Sequence, residues 1–299
     1  MEPSIDRSLP QDQSIERAPL DRLSCHGRRA QGTGDIRGPA TGRAPAGARY
    51  PTRKPQADLR QTGVDGARLV RKNEDIGLLA AGFGVSRATG YRYIAEGRQV
   101  LAAQAPDLHE ALQHVAESGW AYVVLDGSLI DTDRLAETTT SVKGEVIHAW
   151  YSGKHRRPGG NIQAFMRPDG VPIWVSDVLP GHLHDLTCAQ QQQILAAACW
   201  AASQLNLPTL ADSGYEGAGH GVYTPIKRPA DGRDLAVDNR AYNSLLRSQR
   251  AVGERGFALL KGRWKVLRHI TASPRHIGDI ARGALVLTTF LHDQRTQFR

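Results

Sequence analysis

Two short apolar runs of the chain each end on an aspartate. Asp126 directly follows Val123, Val124 and Leu125, and Asp212 follows the apolar residues of "LPTLADSGYEG". Short apolar runs bounded by turn residues predict buried β-strands. An unpaired carboxylate in a buried position costs several kcal/mol, so each aspartate is expected to be paired, hydrogen-bonded or bound to a cation.

A purely structural explanation remains open for each aspartate. Asp126 precedes Gly127, and Asp-Gly is a common hairpin turn. Asp212 precedes Gly214 by two residues, which suits an N-cap or turn position. The local pattern alone does not decide between these interpretations and a functional one.

The order of predicted elements is that of a mixed α/β domain. We expect a strand over 121–130, a hairpin around 168–170, a helix over 184–205, a strand over 207–212, a short strand within 221–228, a long helix over 236–262 and a last helix over 274–292. Ligands of open α/β sheets gather beyond the carboxyl ends of strands, so two aspartates at strand ends are able to meet there.

A third acid, Glu254, lies on the long predicted helix among basic residues. A surface glutamate pairing with Arg250 at i,i+4 spacing is the simpler interpretation. Gly253 and Gly256 are unfavourable inside a helix, and they predict either a local break or the close approach of another backbone. Three carboxylates would supply hard oxygen ligands, which select Mg²⁺ or Mn²⁺.

The segment "EDIGLLAAGFGVSRATGYRYIAEG" predicts two short amphipathic helices separated at Gly84, with Ser86 as N-cap of the second. This is helix-turn-helix spacing, in which the second helix enters the major groove of DNA. The candidate DNA contacts are Ser86, Arg87, Thr89 and Arg92. An ordinary helical hairpin is the alternative, and Gly90 within the second helix favours that alternative.

The net charge of +8 and the pI near 9.6 favour a polyanionic partner. Basic clusters at 153–160 and 247–269 supply further candidate DNA contacts: Lys154, Arg156, Arg157, Arg250, Lys261 and Arg263. The first cluster is equally well explained as a solvated hairpin tip. Trp264 is compatible with stacking on a base and with an ordinary core position.

Residues 1–70 hold 7 of the 16 prolines and 8 of the 31 glycines, with no periodicity. They predict a disordered basic tail, here bounded at 1–72. A second hypothesis is that the tail is translated from a shifted reading frame of a GC-rich gene. No apolar run of about 18 residues and no signal peptide is found, so a cytoplasmic protein without membrane partner is expected.

Cys25, Cys188 and Cys199 form no CxxC pair, so neither a disulfide framework nor a cysteine zinc site is expected. His182, His184 and Asp185 stand close in sequence, but no further ligand at zinc spacing accompanies them.

Five segments together resemble the DDE-type transposases of bacterial insertion sequences, in the insertion-sequence-five group related to Harbinger elements. They are "YVVLDGSLIDTDR", "YSGKHRRPGGNIQ", "WVSDVLPGHLHDLTCA", "LPTLADSGYEGAG" and "YNSLLRSQRAVGERGFALLKGRWKVLRHI". The resemblance covers about 74–292. It implies a ribonuclease-H-like mixed sheet flanked by helices over 106–295, preceded by a small all-helical helix-turn-helix domain over 73–105 and the disordered tail.

The resemblance also implies a site and an activity. Asp126, Asp212 and Glu254 would form the catalytic and metal-binding triad for two Mg²⁺ ions, with Mn²⁺ able to substitute. "GHLHDLTCA" resembles the family's Gly-x-x-His-Asp motif, so His184 and Asp185 are expected as accessory residues, unless Asp185 only caps the following helix.

The activity implied is metal-dependent cleavage and strand transfer on double-stranded DNA, both at terminal inverted repeats and at target DNA. The family suggests a homodimer or larger assembly, associated with the nucleoid. Two alternatives stay open: a catalytically inactive DNA-binding relic or regulator, and a stand-alone Mg²⁺-dependent endonuclease. Residues 1–70 and the last ten residues depart from the family's pattern.

Overall fold

The structure, a computed structural model, describes residues 71–297; the side chains of Arg250 and of residues 294–297 are outside that description. The predicted basic tail over 1–72 therefore lies almost wholly outside the described residues, and so do the shifted-frame hypothesis and Cys25.

Three helices precede the first seven strands, and the remaining helices and strands follow in a mixed order. The helices are Ile76–Gly82 (α1), Arg87–Ala102 (α2), Leu108–Glu117 (α3), Asp185–Gln191 (α4), Ile194–Gln204 (α5), Val237–Arg263 (α6) and Ile277–Gln297 (α7). The strands are Val123–Thr132 (β1), Thr138–Thr140 (β2), Val146–His148 (β3), Tyr151–Ser152 (β4), Arg157–Met166 (β5), Pro172–Val175 (β6), Leu179–Pro180 (β7), Thr209–Leu210 (β8), Val222–Tyr223 (β9) and His269–Ile270 (β10).

The main sheet is mixed and centres on β1. Its strand order is β4-β5-β1-β8-β9, with β6 and β7 paired to β5 and β10 paired to β1. β1 runs antiparallel to β5 and parallel to β8 and β10. The expected α/β fold class, a mixed sheet flanked by helices, is confirmed.

Each face of the sheet carries its own apolar core because side chains alternate along β1. Val123 and Leu125 pack against α3 and α5, through residues such as Leu112 and Ala198. Val124 packs on the opposite face against α6 and α7, with Leu260 and Ile277 among its fully buried partners. The sheet is thus sandwiched between two helical layers.

The long predicted helix is confirmed within one residue at each end, but the helix predicted over 184–205 is two helices. Between them Gln193 adopts a left-handed backbone with φ of 57°. The side chain of Gln192 donates a hydrogen bond to the Asp177 carbonyl, 3.0 Å away. The break is therefore fixed by backbone geometry and a tertiary hydrogen bond, neither of which the apolar pattern reveals.

Gly253 and Gly256 mark a close approach and not a break, because α6 is continuous through both. A Cβ at Gly256 would lie 2.5 Å from Met166 Cγ on β5, and one at Gly253 would lie 3.0 Å from Val124 Cγ1 on β1. Glycine at these two positions lets α6 lie directly on the sheet.

The two predicted N-terminal helices are present as α1 and α2. They are joined by a turn in which Gly84 has a φ of 66°, and Ser86 caps α2 by accepting a hydrogen bond from Thr89 N at 3.2 Å. Gly90 lies at the crossing of the helices, where an added Cβ would be 2.8 Å from Ala80 Cβ. Close packing of α1 on α2 thus explains Gly90, which in the sequence had favoured an ordinary helical hairpin over a helix-turn-helix.

Among residues 71–297, none of the helices is long and apolar enough to cross a bilayer. Cys188, which is buried, and Cys199, which is half-buried, are both free thiols.

We expect Gly256→Ala to destabilise the protein. Overpacking against Met166 costs about 1–3 kcal/mol, against a gain of about 1 kcal/mol from helix propensity, so the free energy of unfolding should fall by about 1 kcal/mol in urea denaturation. Gly262→Ala is the matched control, because nothing lies within 4 Å of a Cβ at that position of the same helix. It should be neutral or slightly stabilising, and an equal loss in both variants would contradict the packing argument.

Candidate active site

A gap in the pairing of β1 creates the candidate site. On one edge β5 pairs with β1 without interruption from Val124 to Asp131. On the other edge β8 pairs only with Val123 and Val124, and β10 pairs only with Asp131 and Thr132. Within the described chain, residues 125–130 therefore have no strand partner on this second edge, and we call this gap the β1 notch.

Asp126 lies inside the strand and not at its end, contrary to the sequence prediction. β1 continues to Thr132, and Asp126 and Gly127 stand opposite Ala164 and Gln163 of β5. The hairpin-turn alternative is wrong for the same reason. The strand that ends early is β8, so the half-buried Asp126 borders the β1 notch from the middle of its own strand.

The carboxylate of Asp126 accepts a hydrogen bond from the next residue and lies close to Gly253 of α6. Its Oδ1 accepts a hydrogen bond from Gly127 N at 3.0 Å. A Cβ added to Gly253 would lie 3.4 Å from Asp126 Cβ and 3.6 Å from Asp126 Oδ2. Glu254, the next residue of α6, is exposed. The missing side chain of Gly253 thus brings the α6 segment that carries Glu254 against Asp126.

Asp212 follows β8 after a single intervening residue. It is the N-cap of the 3-10 turn Ser213–Tyr215, where its Oδ1 accepts from Gly214 N at 2.7 Å. The capping interpretation therefore describes its backbone role. A Cβ on Gly214 would lie 2.8 Å from Asp212 Oδ1 and 3.5 Å from Asp185 Oδ2, so these two carboxylates approach the same glycine.

Asp185 does not cap the helix, and its carboxylate approaches Gly127, which follows Asp126, and Gly214, which lies two residues after Asp212. His184 occupies the N-cap position of α4, without a side-chain capping bond, and is exposed, whereas Asp185 is the first helical residue. A Cβ on Gly127 would come within 2.5 Å of Asp185 Oδ1. Asp185 thus packs against the residue that follows Asp126 and, through Gly214, beside Asp212.

Lys154, in the loop between β4 and β5, pairs with Asp185. Its Nζ donates to Asp185 Oδ2 at 2.9 Å. Burial acts to lower the pKa of Lys154, but the hydrogen bond to Asp185 and the negative charges of Asp185, Asp212 and Asp126 outweigh it, so this pKa is raised. The ammonium group therefore lies in the common field of three carboxylates.

Neutral side chains complete the surroundings of Asp185. Asn161 Nδ2 donates to Asp185 Oδ1 at 2.8 Å, and Gln163 Nε2 donates to Asn161 Oδ1 at 2.7 Å. Tyr215 Oη donates to Gln163 Oε1. Burial acts to raise the pKa of Asp185, but the bonds from Asn161 and Lys154 prevail and this pKa is lowered, so Asp185 stays ionised.

Sequence analysis missed Asn161, Gln163 and Tyr215. Gln163 and Tyr215 are fully buried. A polar residue at an inward position of a strand is a signal in principle, because buried polar groups need partners. The partner of Gln163 Oε1, Tyr215, lies 52 positions away in the chain, so only the fold shows that the two side chains meet.

The donor chemistry of this site suits a hard divalent cation, since its acidic ligands are carboxylate oxygens. One of these carboxylates, Asp185, is paired with the Lys154 ammonium. Across residues 71–297, no three His, Cys, Asp or Glu side chains already stand close enough together to hold a metal ion. Asp126 and Asp212 accept hydrogen bonds from the backbone N–H groups of Gly127 and Gly214, and Asp185 accepts one from Lys154.

Among the candidate contacts of the second basic cluster, Lys261 points into the protein. Lys261 Nζ donates to Ser128 Oγ at 2.7 Å and to the Leu129 carbonyl at 2.8 Å, inside the β1 notch. Burial lowers the pKa of Lys261. Arg263 is half-buried, and the side chain of Arg250 lies outside the described part. Trp264 is a core residue, whose Nε1 donates to Thr288 Oγ1 at 2.7 Å.

The remaining candidate DNA contacts face outward. Arg156, with a φ of 56°, and Arg157 are exposed beside Lys154, and Arg157 pairs with Asp131 at 3.0 Å. On α2, Ser86, Arg87 and Arg92 are exposed and Thr89 is half-buried. The Arg87 guanidinium lies 5.7 Å from the centre of the Tyr91 ring.

We expect Tyr215→Phe to cost about 1–3 kcal/mol of stability, because it leaves the buried Gln163 Oε1 without its donor. Chemical denaturation followed by circular dichroism measures the loss. Tyr223→Phe, at an exposed tyrosine of β9, is the matched control and should change stability by less than about 0.5 kcal/mol. Equal stability of the two variants would show that the hydroxyl bond to Gln163 contributes nothing.

Two solved structures of Mos1 transposase complexes are similar to this chain. A Mos1 transposase paired-end complex with the left transposon end is 12% identical, covers 84% of this chain and 80% of its own, and has a TM-score of 0.21. A Mos1 strand transfer complex is 10% identical, covers 78% and 81% respectively, and also has a TM-score of 0.21. No curated protein matches the sequence.

The family comparison is the informative one. The model of the DDE superfamily endonucleases matches residues 125–289, a segment that contains Asp126, Asp185, Asp212 and Glu254. Because this match extends over more than half of the chain, the protein belongs to the DDE superfamily endonucleases.

Proposed function

We propose that the protein is a transposase of the insertion-sequence-five group, related to Harbinger elements, which binds terminal inverted repeats and carries out metal-dependent DNA cleavage and strand transfer. The family assignment supports an endonuclease, and the five sequence segments support the narrower group. The single observation that carries the proposal is the approach of the Asp185 carboxylate both to Gly127, which follows Asp126, and, together with Asp212, to Gly214.

Asp126, Asp212 and Glu254 are the proposed metal-binding and catalytic triad. Asp126 lies on β1 at the β1 notch, Asp212 follows the end of β8, and Gly253 brings the α6 segment of Glu254 against Asp126. Two Mg²⁺ ions, or Mn²⁺ in their place, would supply Lewis-acid stabilisation of the charge that develops on the attacking and leaving oxygens of the phosphodiester.

The chain's own residues would orient and neutralise these groups. Gly127 N and Gly214 N direct the carboxylates of Asp126 and Asp212 by hydrogen bonds. Lys261 donates to the Leu129 carbonyl in the β1 notch and so ties α6, the helix that carries Glu254, to β1. Asp185 is an accessory residue that stays ionised beside the triad, and the exposed His184 next to it faces the solvent side where DNA would approach.

DNA recognition is assigned to α1 and α2 as a helix-turn-helix within a domain over 73–105. Ser86, Arg87, Thr89 and Arg92 lie at the N-terminal part of α2, the part that contacts DNA in such motifs. Arg156, Arg157 and Arg263, together with Arg250, would contact phosphates near a catalytic domain over 106–295. A homodimer or larger assembly on DNA would allow two element ends to be held together.

We expect Asp212→Asn to abolish Mg²⁺-dependent cleavage, with a loss of at least about a hundredfold, because a neutral amide cannot replace an anionic ligand. Binding to the same DNA should stay within about twofold of wild type. The measurement is cleavage and joining of a labelled duplex that carries the flanking inverted repeat, with binding followed by fluorescence anisotropy.

Asp238→Asn is the matched control, because Asp238 is an exposed carboxylate in the first turn of α6. It should cut at the wild-type rate. Unchanged cleavage by Asp212→Asn would remove Asp212 from the triad. If the wild type binds the repeat without cutting, the protein is a DNA-binding relic, and if it cuts without joining, it is a stand-alone endonuclease.

We expect Arg92→Ala to weaken binding to the terminal repeat by about 1–3 kcal/mol and, if the contact is to a phosphate, to reduce the salt slope by about one. Titrations at several salt concentrations measure both quantities. Arg134→Ala, which removes an exposed arginine remote in sequence from α2, should keep the wild-type salt slope. Identical affinity of Arg92→Ala and wild type would contradict a DNA-binding role for the outer face of α2.

A further inference from the structure

The Lys154–Asp185 ion pair is asymmetric in its exposure. The Lys154 side chain is 58% exposed, whereas that of Asp185 is 11% exposed. Lys154 reaches the site from the short loop between β4 and β5, and its stem lies in solvent. The cation is therefore free to move away into water, while the anion is fixed in the fold.

Asp185 would remain hydrogen-bonded if Lys154 moved away. Asn161 donates to Asp185 Oδ1 at 2.8 Å, whereas Lys154 donates to Oδ2. Loss of the lysine therefore frees Oδ2 alone, the oxygen that lies beside Gly214 and Asp212. The site keeps its geometry and exposes an anionic oxygen.

A lysine is suited to leaving a carboxylate and returning to water. Its ammonium group is a compact, strongly hydrated point charge on a flexible stem, so it is easily returned to water. An arginine at this position would bind a carboxylate through two parallel hydrogen bonds and would be harder to displace. The field of Asp126, Asp212 and Asp185 acts on the lysine as it would act on any cation that enters the site.

We propose that Lys154 is a built-in counter-ion of the acidic site, which holds the β4–β5 loop against it and is displaced when a divalent cation binds. This inference rests on the proposed metal site and deepens it. Lys154 is then a positioning residue: it keeps the carboxylates together before a cation binds, and it competes with that cation. By linkage, a divalent cation on the neighbouring acids and the Lys154 ammonium on Asp185 weaken each other's binding through their like charges.

The test is calorimetric titration of the full chain with Mn²⁺ alone, without DNA. Lys154→Gln should bind Mn²⁺ roughly tenfold more tightly than wild type, within the range typical of coupled sites. Without added cation its melting temperature should fall, because the acids then repel one another, and saturating Mn²⁺ should remove that deficit. Melting curves also show that the variant is folded.

Two controls isolate the charge. Lys143→Gln makes the same change at an exposed lysine between β2 and β3 and should bind Mn²⁺ as wild type does. Lys154→Arg keeps the positive charge and should bind no more tightly than wild type.

The outcomes separate the counter-ion from the metal site. Equal or weaker Mn²⁺ affinity in folded Lys154→Gln overturns the counter-ion role and leaves the metal site standing. Absence of Mn²⁺ binding in every folded protein overturns the metal site and the counter-ion together. A gain in affinity shared by Lys143→Gln shows a general charge effect and also overturns the proposal.

Discussion

The interrupted pairing of β1 is the constraint on which the site depends. A central strand normally has partners along both edges, but β8 leaves β1 after Val124 and β10 joins it only at Asp131. The backbone polar groups between them need other partners. Lys261 from α6 supplies one, at the Leu129 carbonyl, and the carboxylates collect at the same opening.

Glycines determine how closely the acidic residues approach one another. Gly127 admits Asp185 next to Asp126, Gly214 lies between Asp185 and Asp212, and Gly253 admits α6 to Asp126. Any side chain at these positions would push the carboxylates apart. Asp185 remains ionised because the hydrogen bonds from Asn161 and Lys154 outweigh the cost of burial, so that its pKa is lowered.

Much of the fold follows from local pattern. The long amphipathic helix α6, the Ser86 cap and the hairpin between β5 and β6 were predicted within a few residues, because periodicity and turn chemistry act over short distances. The prediction was wrong where tertiary contacts prevailed. The helix over 184–205 is broken at Gln193, and Asp126 lies within its strand because β5 continues to pair beyond it.

The sequence by itself determined the mixed α/β order, the resemblance to a nuclease family and the choice of Asp126 and Asp212 as candidate acids. Only the tertiary structure decided that Asp185 approaches Gly127 and Gly214, that Lys154 pairs with Asp185, and that Gln163 and Tyr215 belong to the hydrogen-bond network around Asp185. The physical reason is distance along the chain: these contacts join residues dozens of positions apart, and their energies depend on burial that exists only once the sheet and its helices have assembled.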